Sequence, residues 1–317
     1  MALLRRRDAQ DYCDEALRRY KAGDHVAALA AADRAIAMAP GHAMAHYLRG
    51  SALSDLGRHT EALRAHRQAI ALDPAMTYVQ YKIALELNSL GLNAEALEAT
   101  DAALSMGPDD TAPVILRGAI LFSLERYDDA LETFTSVLRR TPDTAPVLVN
   151  RAQTLRKLGR YAEALADYDQ ALRLAPRLVA AREEKGIALA MAGQYDDALA
   201  EFGVAAATAT ATAPAQAATA RVWAAAIAWH RHDQPEARRL FEQATGKLMG
   251  VSRQESVSMQ AVVACALGHV AAAADLMRTE TEPADPARRD VLRLLYDLLS
   301  DPPMPGIDHL RAIASDS

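Results

Sequence analysis

Two histidines, His42 and His46, stand four residues apart, a spacing that can bring two imidazoles to one metal ion, and His66 could approach them from a neighbouring helix. However, His42 follows Pro40-Gly41, outside the helix proper, and no acidic or thiol ligand completes the set. No metal site is therefore expected. His230 and His232, two apart, do not share a helical face and are expected at an inter-helix turn. Cys13 and Cys265 lie far apart in sequence, so reduced thiols are expected rather than a disulfide framework. No histidine is placed to activate Cys13, and an inert thiol follows. The sequence has no glycine-rich phosphate loop, nucleophile elbow or zinc-protease motif. The expectation is a chain without catalytic residues and without cofactors. What remains is suited to recognition. Tyrosines combine large area with a polar handle, and a series of cations runs through Arg49, Arg117, Arg151 and Lys185.

The elements that must position these residues are announced by composition. Of 317 residues, 70 are alanine, and aromatics make up only 5 %. Alanine has the highest helix propensity and lets helices approach closely, so stacked helices are expected. The formal net charge of −6 lacks the basic footprint of a nucleic-acid binder, and no such partner is expected. Thirty arginines against five lysines suggest a GC-rich, bacterial coding bias. Leu3 and Leu4 run into Arg5, Arg6 and Arg7 without an apolar stretch behind them, unlike a secretory signal. No window offers about 18 uninterrupted apolar residues. Val204 to Trp229 comes nearest and is broken by Pro214 and Arg221. A soluble, cytoplasmic chain with no membrane partner is expected.

A period of 34 residues organises the chain. Ala28, Ala62, Ala96, Ala130, Ala164 and Ala198 share one column. Gly23, Gly57, Gly91, Gly159 and Gly193 share another, with Glu125 the one substitution; Pro40, Pro74, Pro108, Pro142 and Pro176 share a third, with Thr210 the exception. Each unit reads as two helices. Leu148, Arg151, Ala152 and Leu155 form the stripe of an amphipathic first helix. Gly159 stops it, because glycine accepts the left-handed conformation. Acidic residues such as Glu61, Glu95 and Glu163 then favour the positive end of a second helix, which a proline ends. Small residues (Ala16, Gly50, Ala84, Gly118, Ala152, Gly186) recur on the first helix. A slot for larger ones (His66, Thr100, Phe134, Tyr168, Phe202, with Ala32 in the first unit) recurs on the second.

This register, clearest in Gly159-Arg160-Tyr161-Ala162-Glu163-Ala164-Leu165 and Ala171 to Pro176, resembles the tetratricopeptide repeat. The resemblance implies an all-α fold, a right-handed superhelical solenoid of antiparallel helix pairs, and a protein- or peptide-binding scaffold. The expected organisation is six clear repeats over 1–210, two degenerate repeats over 211–283, and a C-terminal capping helix and tail over 284–317. The Ala/Thr tract at 204–220 is either a prolonged second helix or a hinge.

The resemblance also implies that four positions of each first helix line a concave groove. The candidate peptide-binding residues are Tyr20, Met44, Tyr47, Tyr78, Tyr81, Asn88, Phe122, Gln153 and Arg156. The tyrosines either dock an extended or helical peptide or merely fill a narrow groove. A carboxylate clamp is not expected, since of its slots only Lys82 fits. An asparagine ladder is excluded by its recurring position, which reads Asp14, Leu48, Lys82, Leu116, Asn150 and Glu184. The arginine series is read as local pairing, Arg151 with Asp167 for example, in preference to a basic stripe. The function expected is an adaptor that holds a protein or peptide in its groove. The alternatives are a self-associating structural scaffold and a regulatory subunit of an enzyme complex.

Overall fold

The computed structural model describes residues 8–106, 111–209, 213–244, 260–264, 266, 289–301, 303–308 and 310. All the named elements among them are helices: α1 (Ala9–Lys21), α2 (His25–Met38), α3 (Ala43–Asp55), α4 (His59–Leu72), α5 (Val79–Ser89), α6 (Asn93–Met106), α7 (Thr111–Ser123), α8 (Tyr127–Arg140), α9 (Ala145–Lys157), α10 (Tyr161–Leu174), α11 (Val179–Met191), α12 (Tyr195–Ala209), α13 (Pro214–His230), α14 (Gln234–Ala244) and α15 (Arg289–Leu298). The chain divides into two compact units, residues 1–133 and 134–317.

The 34-residue period is written into the turn between the two helices of each pair. Gly23, Gly57, Gly91, Gly159 and Gly193 all have φ between 72° and 77°. After each, an amide reaches back five residues, as Arg160 N–H does to the Leu155 carbonyl at 2.9 Å. This is the hydrogen-bond pattern of a helix end closed by a left-handed residue. Glu125 breaks the glycine column but not the turn. It adopts φ 59°, and Arg126 N–H still donates to the Leu121 carbonyl at 2.9 Å. The seventh pair repeats the device at His232, with φ 62° and Asp233 N–H on the Ala228 carbonyl at 2.9 Å. His232 therefore sits in an inter-helix turn, as its spacing suggested.

Packing follows the small and large columns. His66, Thr100, Phe134, Tyr168 and Phe202 are all buried, and Phe241 fills the slot in the seventh pair. A Cβ placed on Gly186 would lie 2.8 Å from Phe202 Cε1, and one on Gly50 only 2.5 Å from His66 Cδ2. Small residues on the first helix are thus the space into which the second-helix side chain packs. In the first unit, first helices also touch from pair to pair: α1 with α3, α3 with α5, and α5 with α7. In the second, α9 meets α11 and α11 meets α13.

The Ala/Thr tract splits between two helices. Val204 to Ala209 prolong α12, and Pro214 opens α13 at its first turn, where a missing amide hydrogen costs nothing. In α13 every residue from Val222 to Ala228 is buried, so this stretch is covered on all faces. Trp223 stacks on Phe202 with ring centroids 6.1 Å apart. Leu295, Leu298 and Leu299 of the expected C-terminal helix belong to the same apolar cluster, and α15 touches α13. Most of the expected eighth repeat, and Cys265, lie outside the described residues. No helix among the described residues is long and apolar enough to cross a membrane.

Candidate functional site

The candidate groove residues of the first unit come from α1, α3, α5 and α7 and the residue before α5. Tyr47 stands edge-on to Tyr78, with ring centroids 5.2 Å apart and planes at 89°. Its ring also leans on that of His66 at 5.9 Å. Tyr47 and Tyr81 are half-buried against an apolar cluster that includes Met76, Val79 and Ile83. Tyr78 precedes α5 and is 48 % exposed, while Met44, at the same register one pair earlier, is 39 % exposed. Tyr47 and Tyr78 thus form one aromatic surface, packed beneath Tyr47 and exposed at Tyr78.

The other candidates are differently engaged. Tyr20 folds across its turn onto His25, with centroids 5.5 Å apart. Burial, then its hydrogen bond to Asp55 and that carboxylate's charge, push its hydroxyl pKa up to about 12. Phe122 makes the corresponding contact with Tyr127 at 5.4 Å. Asn88 is half-buried, and its carbonyl accepts from Gly91 N–H at 3.0 Å. In the second unit Gln153 is half-buried. Arg156 is only 4 % exposed, lies 3.6 Å from Glu184 and donates to Met191 Sδ at 3.5 Å. Arg156, one of the candidate groove residues, is thus enclosed, with the Glu184 carboxylate as its ionic neighbour.

The histidines that suggested a metal are taken up in helix ends. His42 caps α3, its Nδ1 accepting from Ala45 N–H at 3.3 Å. That tautomer leaves Nε2–H to donate to Gln10 Oε1 at 3.1 Å. His46 Nε2–H donates to the Pro40 carbonyl at 2.9 Å. Cys13 is buried, and burial, then Asp14, raises the thiol pKa, which disfavours the reactive thiolate.

The cation series pairs locally. Arg151 donates twice to Asp167, at 2.7 Å each. Arg49 donates to Asp33 and Arg117 to Asp101, each at 2.8 Å across to the preceding second helix. Lys185 meets Glu201 at 2.6 Å and Asp169 at 2.7 Å. The charges bind helices to one another rather than form a stripe.

Two features escaped the sequence reading. Glu86 is 1 % exposed, with Oε2 held by His59 Nδ1 at 2.8 Å. Its column at the 34-residue period reads Arg18, which is exposed, and then Ala52, Ile120, Thr154 and Ala188, all buried, so four of five neighbours in register signalled a buried carboxylate. His66 lies directly beneath Tyr47, fully buried, with neither ring nitrogen hydrogen-bonded. Burial, then the charge of Lys82, lowers its pKa to about 4.

Comparisons with known proteins agree with this architecture. Tetratricopeptide repeat family models match residues 13–77 and 149–214, and 110–177. No curated protein sequence matches the chain. Among solved structures, a tetratricopeptide repeat protein from Parabacteroides merdae is 18 % identical with a TM-score of 0.66, over 80 % of this chain and 98 % of that one. PilF of Pseudomonas aeruginosa is 18 % identical with a TM-score of 0.53, over 62 % of this chain and 89 % of its own. A MamA fragment from Desulfovibrio magneticus is 17 % identical with a TM-score of 0.51, over 54 % and 97 %. At these identities the likeness is one of fold. Taken with the repeated turns, the interlocked small and large columns and the family matches, it leads to one conclusion: this chain belongs to the tetratricopeptide repeat family, with the solenoid fold of a protein-interaction scaffold.

Proposed function

We propose that the chain is a non-catalytic adaptor that binds a protein or peptide segment along its first helices, with Tyr47, Tyr78 and Tyr81 as the anchoring surface. The observation that carries this reading is the T-shaped Tyr47–Tyr78 pair, backed by packed side chains and 48 % exposed at Tyr78. Aromatic side chains with few rotatable bonds, held in place before the ligand arrives, lose little entropy on binding. Tyrosines of this kind are enriched among the residues that dominate interface energy. Met44 extends the surface with a side chain that adapts to irregular apolar contacts. Asn88 contributes polar edges near its end. Arg156, being enclosed, shapes its surroundings rather than touching the ligand.

The test is selection of peptides from a displayed library on the full chain, followed by titration of the winners against variants. Tyr78→Ala is expected to weaken binding by at least about tenfold, equivalent to about 1.4 kcal/mol. Tyr47→Ala/Tyr81→Ala should remove it, with helix content by circular dichroism as the folding control. Peptides that bind all variants equally would overturn the assignment.

A further inference from the structure

The four groove-register positions of each first helix can be followed along the chain by counting back from the left-handed turn residue. In α13 they are Thr219, Val222, Ala226 and Trp229, set by His232. Val222 and Ala226 are fully buried, and Ile187 and Ala190, two of the groove-register residues of α11, are buried to within a few per cent. Neighbouring first helices bury some small groove residues elsewhere, such as Cys13 and Ser51. At α13 the cover has a further source. Leu295, Leu299, Met304, Ile307 and Leu310 are all buried in the cluster that holds Val222 and Ala226. The position of this segment is fixed by His230, which faces back toward α12: its ring stands 5.2 Å from Tyr195, and its Nδ1–H donates to the Asp301 carbonyl at 3.1 Å. The trailing segment therefore starts, at Asp301, beside the edge of α13 that faces α12. Residues 260–264 are helical and bring Ala261, Val262 and Val263 to the same cluster.

We propose that α13, on its groove side, is a binding site for a leucine-rich amphipathic helix, and that α15 with its trailing turn is the resident and exchangeable occupant. The occupant has the chemistry such a site selects. Leu295, Leu298 and Leu299 are buried along one side, while Arg293 is 84 % exposed and pairs outward with Asp297 at 3.9 Å. Spacings of three and four put the leucines on one helical face. The groove-register positions of α13 that this cluster encloses, Val222 and Ala226, are apolar and of small to moderate size, which lets a helix approach closely. An external helix with leucines at the same spacing would compete for this site. The consequence is a division of labour: the tyrosine surface of the first unit is open, while the last pairs are kept closed by the chain itself.

The inference uses the groove register of the proposed function, but its test does not involve the tyrosines, so the two readings can fail separately. The chain has two tryptophans, Trp223 and Trp229, and both are on α13. Their emission reports directly on this cover. The probe is a synthetic peptide of residues 287–312, applied to the full chain and to Leu295→Asp/Leu299→Asp and the milder Leu299→Ala. Both variants should show red-shifted emission while keeping their helical signal to within the loss of one short helix. Added peptide should reverse the shift, binding the double variant at least about tenfold tighter than the wild type. Unshifted emission in both variants, failure of the peptide to bind them, or loss of most helical signal in Leu299→Ala would each overturn the proposal. The last result would make α15 an inseparable part of the core.

Discussion

His66 occupies the slot that Phe134 and Phe202 fill in other pairs, but it brings two ring nitrogens with no hydrogen-bond partner into a fully buried place. Its folded pKa lies near 4, below the 6.5 of the free side chain. Above about pH 6.5 the imidazole is neutral in both states, and no pH dependence arises. As pH falls from 6.5 to 4, the unfolded chain takes up a proton that the native state refuses, so stability is lost across that window. The loss is on the order of 3 kcal/mol. His66→Phe should abolish this acid-dependent term in urea melts at pH 7 and pH 4.5. It should also stabilise the protein at neutral pH by about 1 kcal/mol or more, because buried unsatisfied polar groups are removed. Retention of the full acid sensitivity in His66→Phe would assign that sensitivity to other groups. The slot itself was legible in the sequence as a periodic column. That its histidine underlies Tyr47, and that Arg156 is enclosed beside Glu184 and Met191, was not legible, because those contacts join different helices at spacings no periodicity specifies.

The helix pair is the unit at which sequence and structure agree most closely. The glycine column could be read because the left-handed turn recurs at a fixed period, and Glu125 shows that the turn is imposed by the whole pair. A non-glycine residue in this conformation costs about 1–2 kcal/mol. Glu125→Gly and His232→Gly should therefore each raise stability by about 1 kcal/mol in chemical denaturation. A neutral or destabilising result would show that the side chains repay the strain. The reverse holds for the helix interface. Gly186→Ala forces a Cβ to within 2.8 Å of the Phe202 ring and should cost about 1–3 kcal/mol. Pairing across the interface is testable in the same way. Arg151→Met leaves Asp167, 8 % exposed, without its two donors and should cost about 1–3 kcal/mol. A double-mutant cycle with Asp167→Asn should return a coupling energy above about 0.5 kcal/mol. The end of α12 was harder to read. Without a proline at position 210, the alanine-rich tract is compatible with helix throughout, and only Pro214 marks where α13 begins.

Across the molecule, the same repeated pair serves two purposes. In the first unit it presents Tyr47 and Tyr78 on a packed base; in the second it builds α13, buried on every side from Val222 to Ala228. Family and fold were legible because a solenoid repeats its packing rules, so one register predicts many contacts. The ligand was not, because a groove selects its partner through the few positions the repeat leaves free. The claim that those positions, and the tyrosines above all, make this an adaptor is tested most directly by isothermal titration. A library-selected peptide would be titrated into the wild-type chain and into Tyr78→Ala. The expected result is one site in the wild type and at least about tenfold weaker binding in the variant. Equal affinity in the two, with both chains folded, would contradict it.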